Sequence, residues 1–313
     1  MTQTPRCSIV LPTYNRLRTL PRAVASVLAQ DEPDFELIIV DDGSTDATCA
    51  WFSTLTDPRI RVLRSEANGG PSAARNRGLA AARAPITAFL DSDDIYRPNR
   101  LGVPLRAFAQ ESDLVCTLSS SIKQIRDRKE PALIPDVKLA SAAFEWALFC
   151  DLIGVETTSI TVRTEAARAA GGFCEALRRT EDREFLIRLA RRGAVRLLPE
   201  VLWEKSWLDD SLSNDWAGAG RDLVRYVEQR PEYLHQYRKL GSYLASKILV
   251  ADLRCGDLSA LRADWRRFRA AGLIDRNIAR VVRAHREVRR YRRAMSRREA
   301  LATLDGPPQG WSS

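Results

Sequence analysis

Histidine and closely paired cysteines, the side chains of most protein zinc sites, are scarce in this chain of 313 residues. The chain has two histidines, His235 and His285, and six cysteines that lie tens of residues apart with no CxxC pair. This pattern excludes the common zinc motifs and a secreted disulfide scaffold, and it indicates reduced thiols in a cytoplasm of bacterial type. With so little histidine, any catalysis has to rest on carboxylates.

Long apolar runs and glycine-rich phosphate loops are also missing. No stretch approaches the roughly 20 apolar residues that a membrane-spanning helix needs, and the first residues do not have the pattern of a secretory signal. Neither GxGxxG nor GxxxxGK[ST] occurs, which argues against a dinucleotide-binding loop and against a P-loop ATPase. We therefore expect a cytoplasmic protein in which any bound phosphate is held through a metal ion.

Basic residues are concentrated at one end of the chain. Residues 221–313 hold 21 Lys and Arg against 10 Asp and Glu, whereas residues 1–220 hold 28 against 30, so the net charge of +9 belongs to the C-terminal region. The last long helical pattern, near 276–301, has a ragged apolar stripe among many arginines. Such a helix either lies on anionic lipid or packs its stripe on the catalytic domain and leaves the arginines in water.

The first 116 residues alternate apolar β-type runs with helical patterns, which predicts an α/β fold. We expect a Rossmann-like, mostly parallel sheet flanked by helices, because the apolar runs do not alternate with polar residues as half-exposed strands do. Ligands of such sheets bind beyond the carboxyl ends of the strands. The predicted strands are 7–12, 35–42, 60–64, 86–91 and 113–118, and the predicted helices are near 17–30, 45–56, 71–83 and 97–111.

The rest of the chain is less regular and then becomes wholly helical. We expect a polar turn region near 123–136, helices near 139–151 and 181–192, and a strand at 155–162. Two helices on either side of 254–257 precede the Arg-rich helix. We divide the chain into a catalytic domain (1–217), a basic helical region (218–303) and an unstructured tail (304–313).

Acidic residues follow two of the predicted strands. Asp91, Asp93 and Asp94 come directly after one buried strand, and Asp41 and Asp42 close another. Carboxylates at neighbouring strand ends can share Mg²⁺ or Mn²⁺, whereas one Asp in a turn is as often a helix cap. Because capping explains one carboxylate better than two, we assign Asp41 the ligand role and keep Asp42 as second choice.

Two further segments carry charged candidates. In Asn-Gly-Gly-Pro-Ser-Ala-Ala-Arg-Asn-Arg-Gly (68–78), Arg75 can pair with a phosphate or with Asp41, whereas Arg77 suits a solvated surface. At the start of the helix near 181–192, helical spacing puts Asp182 on the apolar face and Glu184 on the polar face. A carboxylate on the apolar side suits a proton acceptor better than a cap.

Six motifs follow one another along the chain. They are Ser-Ile-Val-Leu-Pro-Thr-Tyr-Asn-Arg (8–16), Val-Asp-Asp-Gly-Ser-Thr-Asp (40–46), the segment 68–78, Phe-Leu-Asp-Ser-Asp-Asp (89–94), Gly-Gly-Phe (171–173) and Glu-Asp (181–182). Together and in this order they resemble the motifs of glycosyltransferase family 2, which has the GT-A fold. The resemblance spans roughly 210 residues and leaves out the last hundred.

The resemblance implies an inverting, metal-dependent transferase of hexosyl type. Its donor would be a nucleotide diphosphate sugar, most commonly a UDP-sugar, and its acceptor a hydroxyl of a glycan or lipid-linked molecule in cell-surface polysaccharide synthesis. With Mg²⁺ or Mn²⁺ as cofactor, Asp93 would be the metal ligand and Asp182 the general base. The residues implied to bind nucleotide or substrate are Pro12, Thr13, Tyr14, Asp41, Asp42, Arg75, Asn76 and Asp91.

One departure from the family concerns the metal. Members often carry a His in a His-x-x-Ser-x-Ser pattern after the base helix, and Leu208 stands at that place here. Asp209 or Asp210 would have to substitute, or the ion is held more loosely.

Two other functions remain open from the residues alone. Nucleotidyl transfer also uses strand-end acids, but it favours a Lys near the first strand, and residues 12–20 contain none. A degenerate transferase fold that binds glycans or protein partners is the non-enzymatic alternative. No nucleic acid is expected as a partner, whereas the basic helices allow peripheral contact with the inner face of a membrane.

Overall fold

The structure, a computed structural model, describes residues 4–125, 128–206, 219–229, 231, 236–274, 278–295, 301, 303–304 and 306. The chain divides into two compact units. The first comprises the described residues of 1–141, 154–175 and 188–208, and the second those of 142–153, 176–187 and 209–313.

The first unit is built on a mixed sheet that is parallel through its N-terminal half. The order is β3-β2-β1-β4-β9-β6-β10-β5, with β7 paired to β6 and β8 to β10. The contacts β3-β2-β1-β4 and β6-β10 are parallel, and the other contacts are antiparallel. The strands are β1 (Cys7–Thr13), β2 (Phe35–Asp41), β3 (Ile60–Arg64), β4 (Ile86–Phe89), β5 (Ile95–Tyr96), β6 (Leu114–Ile125), β7 (Arg128–Ala132), β8 (Val137–Leu139), β9 (Thr161–Arg163) and β10 (Ala194–Lys205).

Helices connect the parallel strands, as βαβ topology requires. The helices are α1 (Leu20–Leu28), α2 (Thr48–Phe52), α3 (Pro71–Ala81), α4 (Gly102–Gln110), α5 (Ser141–Phe149), α6 (Thr164–Ala169), α7 (Glu181–Ala190), α8 (Ala219–Val227), α9 (Arg238–Cys255), α10 (Leu258–Ala270) and α11 (Ile278–Met295), with a 3₁₀ turn at Thr157–Ser159. The five strands and four helices predicted in residues 7–118 are confirmed, as is the α/β class.

The centre of the sheet is buried on both faces. Every residue of β1 and β2 is buried, which is why their sequences are mostly apolar. The buried polar pair Ser8 and Glu36 is satisfied by a hydrogen bond of 2.7 Å from the Ser8 hydroxyl to the Glu36 carboxylate. Helix α3 lies directly against β1, and Gly78 makes this possible: a Cβ on Gly78 would stand 2.4 Å from Cγ1 of Val10. The parallel register pairs Thr13 with Asp41, so the carboxyl ends of β1 and β2 meet at one edge.

Two predictions for the middle of the chain are wrong or only partly right. The predicted turn region 123–136 contains a hairpin, because β6 continues to Ile125 and pairs with β7. The predicted strand 155–162 is mainly the 3₁₀ turn, followed by the short β9. The long strand β10 was not predicted, since Pro199 and Glu200 interrupt its pattern at a register shift between Leu198 and Val201.

The second unit is helical in the described residues. Helix α9 packs on α8, α10 and α11, and aromatic rings join other parts of the unit. Phe149 of α5 stacks on Tyr226 of α8 with 4.9 Å between the ring centroids. In these parts of the chain, no helix combines the length and apolarity needed to cross a membrane.

In the described part of α11, apolar side chains of the stripe are packed within the second unit. Val288 is fully buried, and the hydroxyl of Tyr291 accepts a hydrogen bond from the indole N–H of Trp146 at 3.0 Å. Arg286, Arg289 and Arg290 are exposed. Of the two alternatives for this helix, the described residues therefore favour packing on protein, through α9 and through the Trp146 hydrogen bond from α5.

Candidate active site

The first candidate acid, Asp41, is built into the turn after β2. It is completely buried, and its Oδ1 accepts a hydrogen bond from the amide of Ser44 at 3.0 Å. Its Oδ2 lies 3.4 Å from Nε of Arg64. Asp41 therefore holds the turn after β2 and pairs with Arg64, and it does not cap α2, whose N-cap residue, Ala47, makes no side-chain cap.

The second acid, Asp42, orders the loop before α3. Its carboxylate accepts hydrogen bonds from the amides of Gly69 (3.1 Å to each oxygen) and Gly70 (2.7 Å). Gly70 has a φ of +89°, which L-residues other than Gly rarely adopt. Asp42 therefore fixes the entry to α3, the helix that carries Arg75 and Asn76.

The side chain of Asn76 holds the end of the Gly-Gly-Phe motif and the residues after it through three hydrogen bonds. Its side-chain N–H groups donate to the carbonyl of Phe173 and to Oε1 of Glu175, both at 2.9 Å, and its oxygen accepts from the amide of Phe173 at 2.7 Å. Both N–H donors of the amide are occupied in this way. The role of Asn76 in nucleotide binding stays a prediction, and the observed role is to hold residues 173–175.

Arg75 pairs with an acid of the cluster after β4. Its guanidinium donates to Oδ1 of Asp91 at 2.7 Å and lies over the ring of Phe173, with Cζ 5.4 Å from the ring centroid. The Arg75 side chain is 6% exposed, whereas that of Asp91 is 32% exposed. Arg75 thus neutralises part of the acidic cluster through Asp91, a partner that was not predicted. The predicted pairing of Arg75 with a phosphate stays a prediction.

Asp94 is the most buried member of this acidic cluster, which consists of Asp91, Asp93 and Asp94. Thr158 Oγ1 donates to its Oδ2 at 2.6 Å, and the amide of Ser206 donates to its Oδ1 at 3.3 Å. Burial, followed by repulsion from Asp93 and Asp91, raises the pKa of Asp94 well above its ordinary value. Its role is therefore to join β4, the 3₁₀ turn and the end of β10.

Asp93 is half-buried and differs from its two neighbours in its bonding. In the described part of the chain, no side chain donates a hydrogen bond to its carboxylate. Burial and repulsion from Asp91 raise the pKa of Asp93, and the positive charges of Arg16 and Lys205 oppose that rise. The negative charge of the cluster is thus only partly compensated by protein cations.

These residues fit a divalent cation whose coordination shell is completed by water or by a bound ligand. Carboxylate oxygens suit Mg²⁺ and Mn²⁺, and a cation beside Asp93 would offset the repulsion that raises its pKa. Among the described residues, no three His, Cys, Asp or Glu side chains converge to form a complete metal cage. An ion at Asp93 would therefore need further oxygens from water or from a bound ligand. Leu208, Asp209 and Asp210 lie outside the described residues.

The end of β1 offers three side chains with different environments. Pro12 is buried within the strand, and Tyr14 is 41% exposed. Thr13 is buried, and its hydroxyl has no hydrogen-bond partner in the described part of the chain. A buried hydroxyl without a partner suits a ligand contact, so the prediction of a base pocket here stays open.

Asp182 lies in the second unit, in the first turn of α7, and is half-buried. Its Oδ1 accepts from the amide of Arg183 at 2.7 Å. Arg183 is held by Asp151, with 2.8 Å between Nη1 and Oδ1, and by the carbonyl of Leu148 at 2.9 Å. The prediction that Glu184 lies on the polar face is wrong: Glu184 is 3% exposed, because α7 is buried on more than its Phe185–Leu186 side.

The structure gives several residues at these sites roles that sequence reasoning did not assign. Asn15, with a φ of 52°, accepts hydrogen bonds from the amides of Thr45 (2.8 Å) and Asp46 (3.2 Å) and so ties the β1 loop to the β2 loop. Thr158 and Lys205 are polar residues in regions without a motif, so nothing in the sequence distinguishes them. Asp94 had a signal, since it is the third acid in four residues.

Comparison with known proteins decides the family. The model of the family "Glycosyl transferase family 2" matches residues 8–180, more than half of the chain. The chain belongs to this family. The motifs that resemble those of the family lie mostly within the matched segment.

The chain is similar to ExoO, the succinoglycan biosynthesis protein of Rhizobium meliloti (strain 1021). The two are 45% identical over 97 residues, which cover 31% of this chain and 28% of ExoO. More generally, the chain spans about a quarter to two thirds of the length of three curated relatives.

Two solved structures share the fold of this chain, which is of GT-A type. Staphylococcus aureus TarS in complex with UDP-GlcNAc superposes with a TM-score of 0.61 at 20% identity, covering 84% of this chain and 72% of the TarS chain. The mannosyltransferase PcManGT from Pyrobaculum calidifontis, in complex with GDP-Man and Mn²⁺, has a TM-score of 0.59 at 18% identity, covering 97% and 86%.

Proposed function

We propose that this glycosyltransferase moves a sugar from a nucleotide diphosphate sugar to an acceptor hydroxyl, with inversion at the anomeric carbon and with a divalent metal. The observation that carries the proposal is the acidic cluster after β4. It combines a carboxylate paired with Arg75, a buried carboxylate bonded to Thr158, and Asp93, whose carboxylate no described side chain engages. The cluster therefore has an excess of negative charge that a bound cation would neutralise.

In this proposal Asp93 holds Mg²⁺ or Mn²⁺ together with donor phosphate oxygens. When bound, the ion supplies electrostatic stabilisation of the charge that develops on the leaving diphosphate. The protein contributes the rest: Arg75 fixes Asp91, which contacts the sugar nucleotide, and Thr158 holds Asp94 in place. Because the Arg75 side chain is almost fully buried, the position of Asp91 is set before the donor binds.

The nucleotide is proposed to bind at the joined ends of β1 and β2. Thr13 and Asp41 are register partners there, and the buried hydroxyl of Thr13 needs a partner. Pro12 and Tyr14 complete the proposed base pocket, while Asp42 and Asn76 act by ordering the loops on either side of Arg75. TarS and PcManGT are solved with a uridine and a guanosine donor, respectively, and we favour UDP-sugars for this chain.

Asp182 is proposed as the general base that removes the proton of the acceptor hydroxyl. Support comes from its place in the family's Glu-Asp motif, its partial burial at the start of α7, and the fixed Arg183 that follows it. A base correctly placed contributes about 10²–10⁴-fold to the rate.

The biological setting follows from the relatives. ExoO is a succinoglycan biosynthesis protein, and we propose that this chain also acts in cell-surface polysaccharide synthesis, on a glycan or lipid-linked acceptor. The cysteines that the structure describes are all free, and burial raises the pKa of the Cys7 thiol to about 12. Buried thiols of this kind suit a reducing compartment, so we place the reaction in the cytoplasm.

The test is release of nucleoside diphosphate from a panel of UDP- and GDP-sugars, with Mn²⁺ or with EDTA. Asp182→Asn is expected to lower the rate by about 10²–10⁴-fold, while the matched control Glu181→Gln changes it by only a few-fold. Donor binding with Mn²⁺, followed as a rise in melting temperature, is expected to survive in Asp182→Asn and to be lost in Asp93→Asn. Full activity of Asp182→Asn would remove the proposed base.

A further inference from the structure

Exposed apolar side chains are concentrated on two helices of the second unit. Among the described residues, seven large hydrophobic side chains are exposed, and four of them lie within the sixteen residues 250–265. We call the surface formed by these residues and their neighbours on α9 and α10 the α9–α10 face. Its exposed members are Val250 (48%), Leu253 (62%), Leu258 (56%) and Trp265 (38%).

The α9–α10 face is a groove with a basic margin. The groove has a volume of about 440 Å³ and is lined by Leu249, Val250, Leu253, Leu261, Arg262, Trp265 and Arg266. Arg262 and Arg266 are exposed, and neither forms an ion pair within the described part of the chain. The lining therefore contains two uncompensated cations and no carboxylate.

Helical spacing explains how α10 presents both kinds of side chain. Leu258, Leu261, Arg262 and Trp265 fall at i, i+3, i+4 and i+7, on one side of the helix, whereas Phe268 is 1% exposed and packs inward. A surface with an indole, aliphatic side chains and arginines is what an interfacial helix presents to a lipid headgroup layer.

We infer that the α9–α10 face docks on an anionic lipid surface. The arginines would meet lipid phosphates, and Leu253 and Trp265 would enter the boundary between headgroups and acyl chains. This inference does not depend on the transfer reaction. It places the membrane contact on α9 and α10 rather than on the stripe of α11, whose Val288 and Tyr291 are used inside the unit.

Charge complementarity argues against a second copy of the chain as the occupant. In a two-fold dimer the same patch faces itself. Arg262 and Arg266 would then meet the same cations of the other copy, and the lining offers no carboxylate to balance them. Like charges brought together in an interface oppose association, whereas an anionic surface is complementary to this one.

Flotation of the full chain with lipid vesicles tests the inference. The probes are vesicles of phosphatidylcholine alone and vesicles with 30 mol% phosphatidylglycerol, a composition of about one anionic lipid in three. The wild type is expected to float with the anionic vesicles and not with the neutral ones. Arg262→Gln/Arg266→Gln is expected to weaken this binding about 30-fold, since each basic residue contributes roughly 1 kcal/mol at an anionic surface.

A second pair of substitutions tests whether vesicle binding depends on the groove itself or only on the net charge of the chain. Arg106 and Arg128 are exposed residues of the first unit, and Arg106→Gln/Arg128→Gln removes the same charge. It is expected to keep binding within about 3-fold of wild type. Leu253→Ser is expected to lose binding while its melting temperature stays near that of wild type, since its side chain is 62% exposed.

Three results would overturn the inference. One is no flotation of the wild type, and another is equal weakening by the groove pair and the control pair. The third is a concentration-dependent dimer by analytical ultracentrifugation that Leu253→Ser dissociates, which would make a second copy the occupant. Donor turnover with a water-soluble acceptor is measured alongside and is expected to be unchanged in the groove variants, so failure of this inference and failure of the proposed reaction are distinguishable.

Discussion

Asp151 offers a sharp test of the electrostatics of the second unit. Its carboxylate accepts from Arg183 (2.8 Å), from Nζ of Lys247 (2.7 Å) and from the hydroxyl of Tyr243 (2.8 Å), and it is 12% exposed. Burial opposes its ionisation, but the charges of Arg183 and Lys247 outweigh burial and hold the pKa of Asp151 well below its ordinary range. Asp151→Asn would leave two largely buried cations without their shared carboxylate.

The magnitude follows from that arrangement. Removing one partner of a buried ion pair costs about 3–5 kcal/mol, and we expect the lower end, about 3 kcal/mol, because Lys247 is 31% exposed. At a slope of about 2–3 kcal/mol per molar urea, the unfolding midpoint should fall by roughly 1 M. The control is Asp113→Asn, which removes an ion pair with Lys138 from a side chain that is 60% exposed, and it should leave the midpoint unchanged.

The pH dependence supplies a second check on Asp151. Because the folded pKa lies below the unfolded one, the stabilisation is complete above about pH 5 and is lost as the pH falls through the folded pKa. The difference between wild type and Asp151→Asn should therefore be constant at neutral pH and shrink in acid. If Asp151→Asn and Asp113→Asn have the same midpoint at pH 7, the shared carboxylate does not stabilise the unit as argued.

Three further predictions concern the packing of Gly78, the titration of Asp252 and the hydrogen bonds of Asn76. Gly78→Ala should destabilise the first unit by about 1–3 kcal/mol in urea titration, because its Cβ meets a buried methyl of Val10, and Val10→Ala/Gly78→Ala should recover part of the Gly78→Ala loss. Burial and repulsion from Asp264 raise the pKa of Asp252 to about 6, so wild type loses stability as the pH rises from 4 to 6. Asp252→Asn should then be more stable by roughly 1–2 kcal/mol at pH 7 and equal to wild type below pH 4, a value reduced for solvent screening. Asn76→Ala removes three hydrogen bonds and should cost about 2 kcal/mol while exposing residues 171–175 to faster amide exchange.

Local sequence patterns predicted the parts of the fold whose neighbours are close in the chain. β1 to β4 and the helices between them follow from continuous apolar runs and helical spacing, since a buried parallel strand has a distinctive composition. β10 escaped prediction because Pro199 and Glu200 interrupt its pattern. The continuation of β6 escaped prediction because its polar residues, such as Ser119 and Ser120, are buried by pairing with a strand distant in the sequence, β10. Such burial depends on pairing across the sheet and leaves no local signal.

The candidate site was predictable in composition but not in bonding. The strand-end acids were found because three Asp occur in four residues, yet the partner of Arg75 was not, since Asp91 and Asp41 are equally acidic choices in a sequence. The ordering roles of Asp42 and Asn76 also depend on contacts between segments far apart in the chain. Only coordinates can distinguish a carboxylate that binds a ligand from one that holds a loop.

The hydrogen bonds between Asn76 and residues 173–175 have a consequence for the order in which the fold forms. It joins residues separated by 97 positions, whereas the β1–β2 pairing joins residues 28 apart. Since closing a longer loop costs more entropy, the short-range strand pairings are expected to form first. During synthesis, the Arg75 helix can dock on its strands early. The hydrogen bonds from Asn76 to residues 173–175 can form only after residue 175 has left the ribosome. A shorter nascent chain would therefore contain α3 without these contacts.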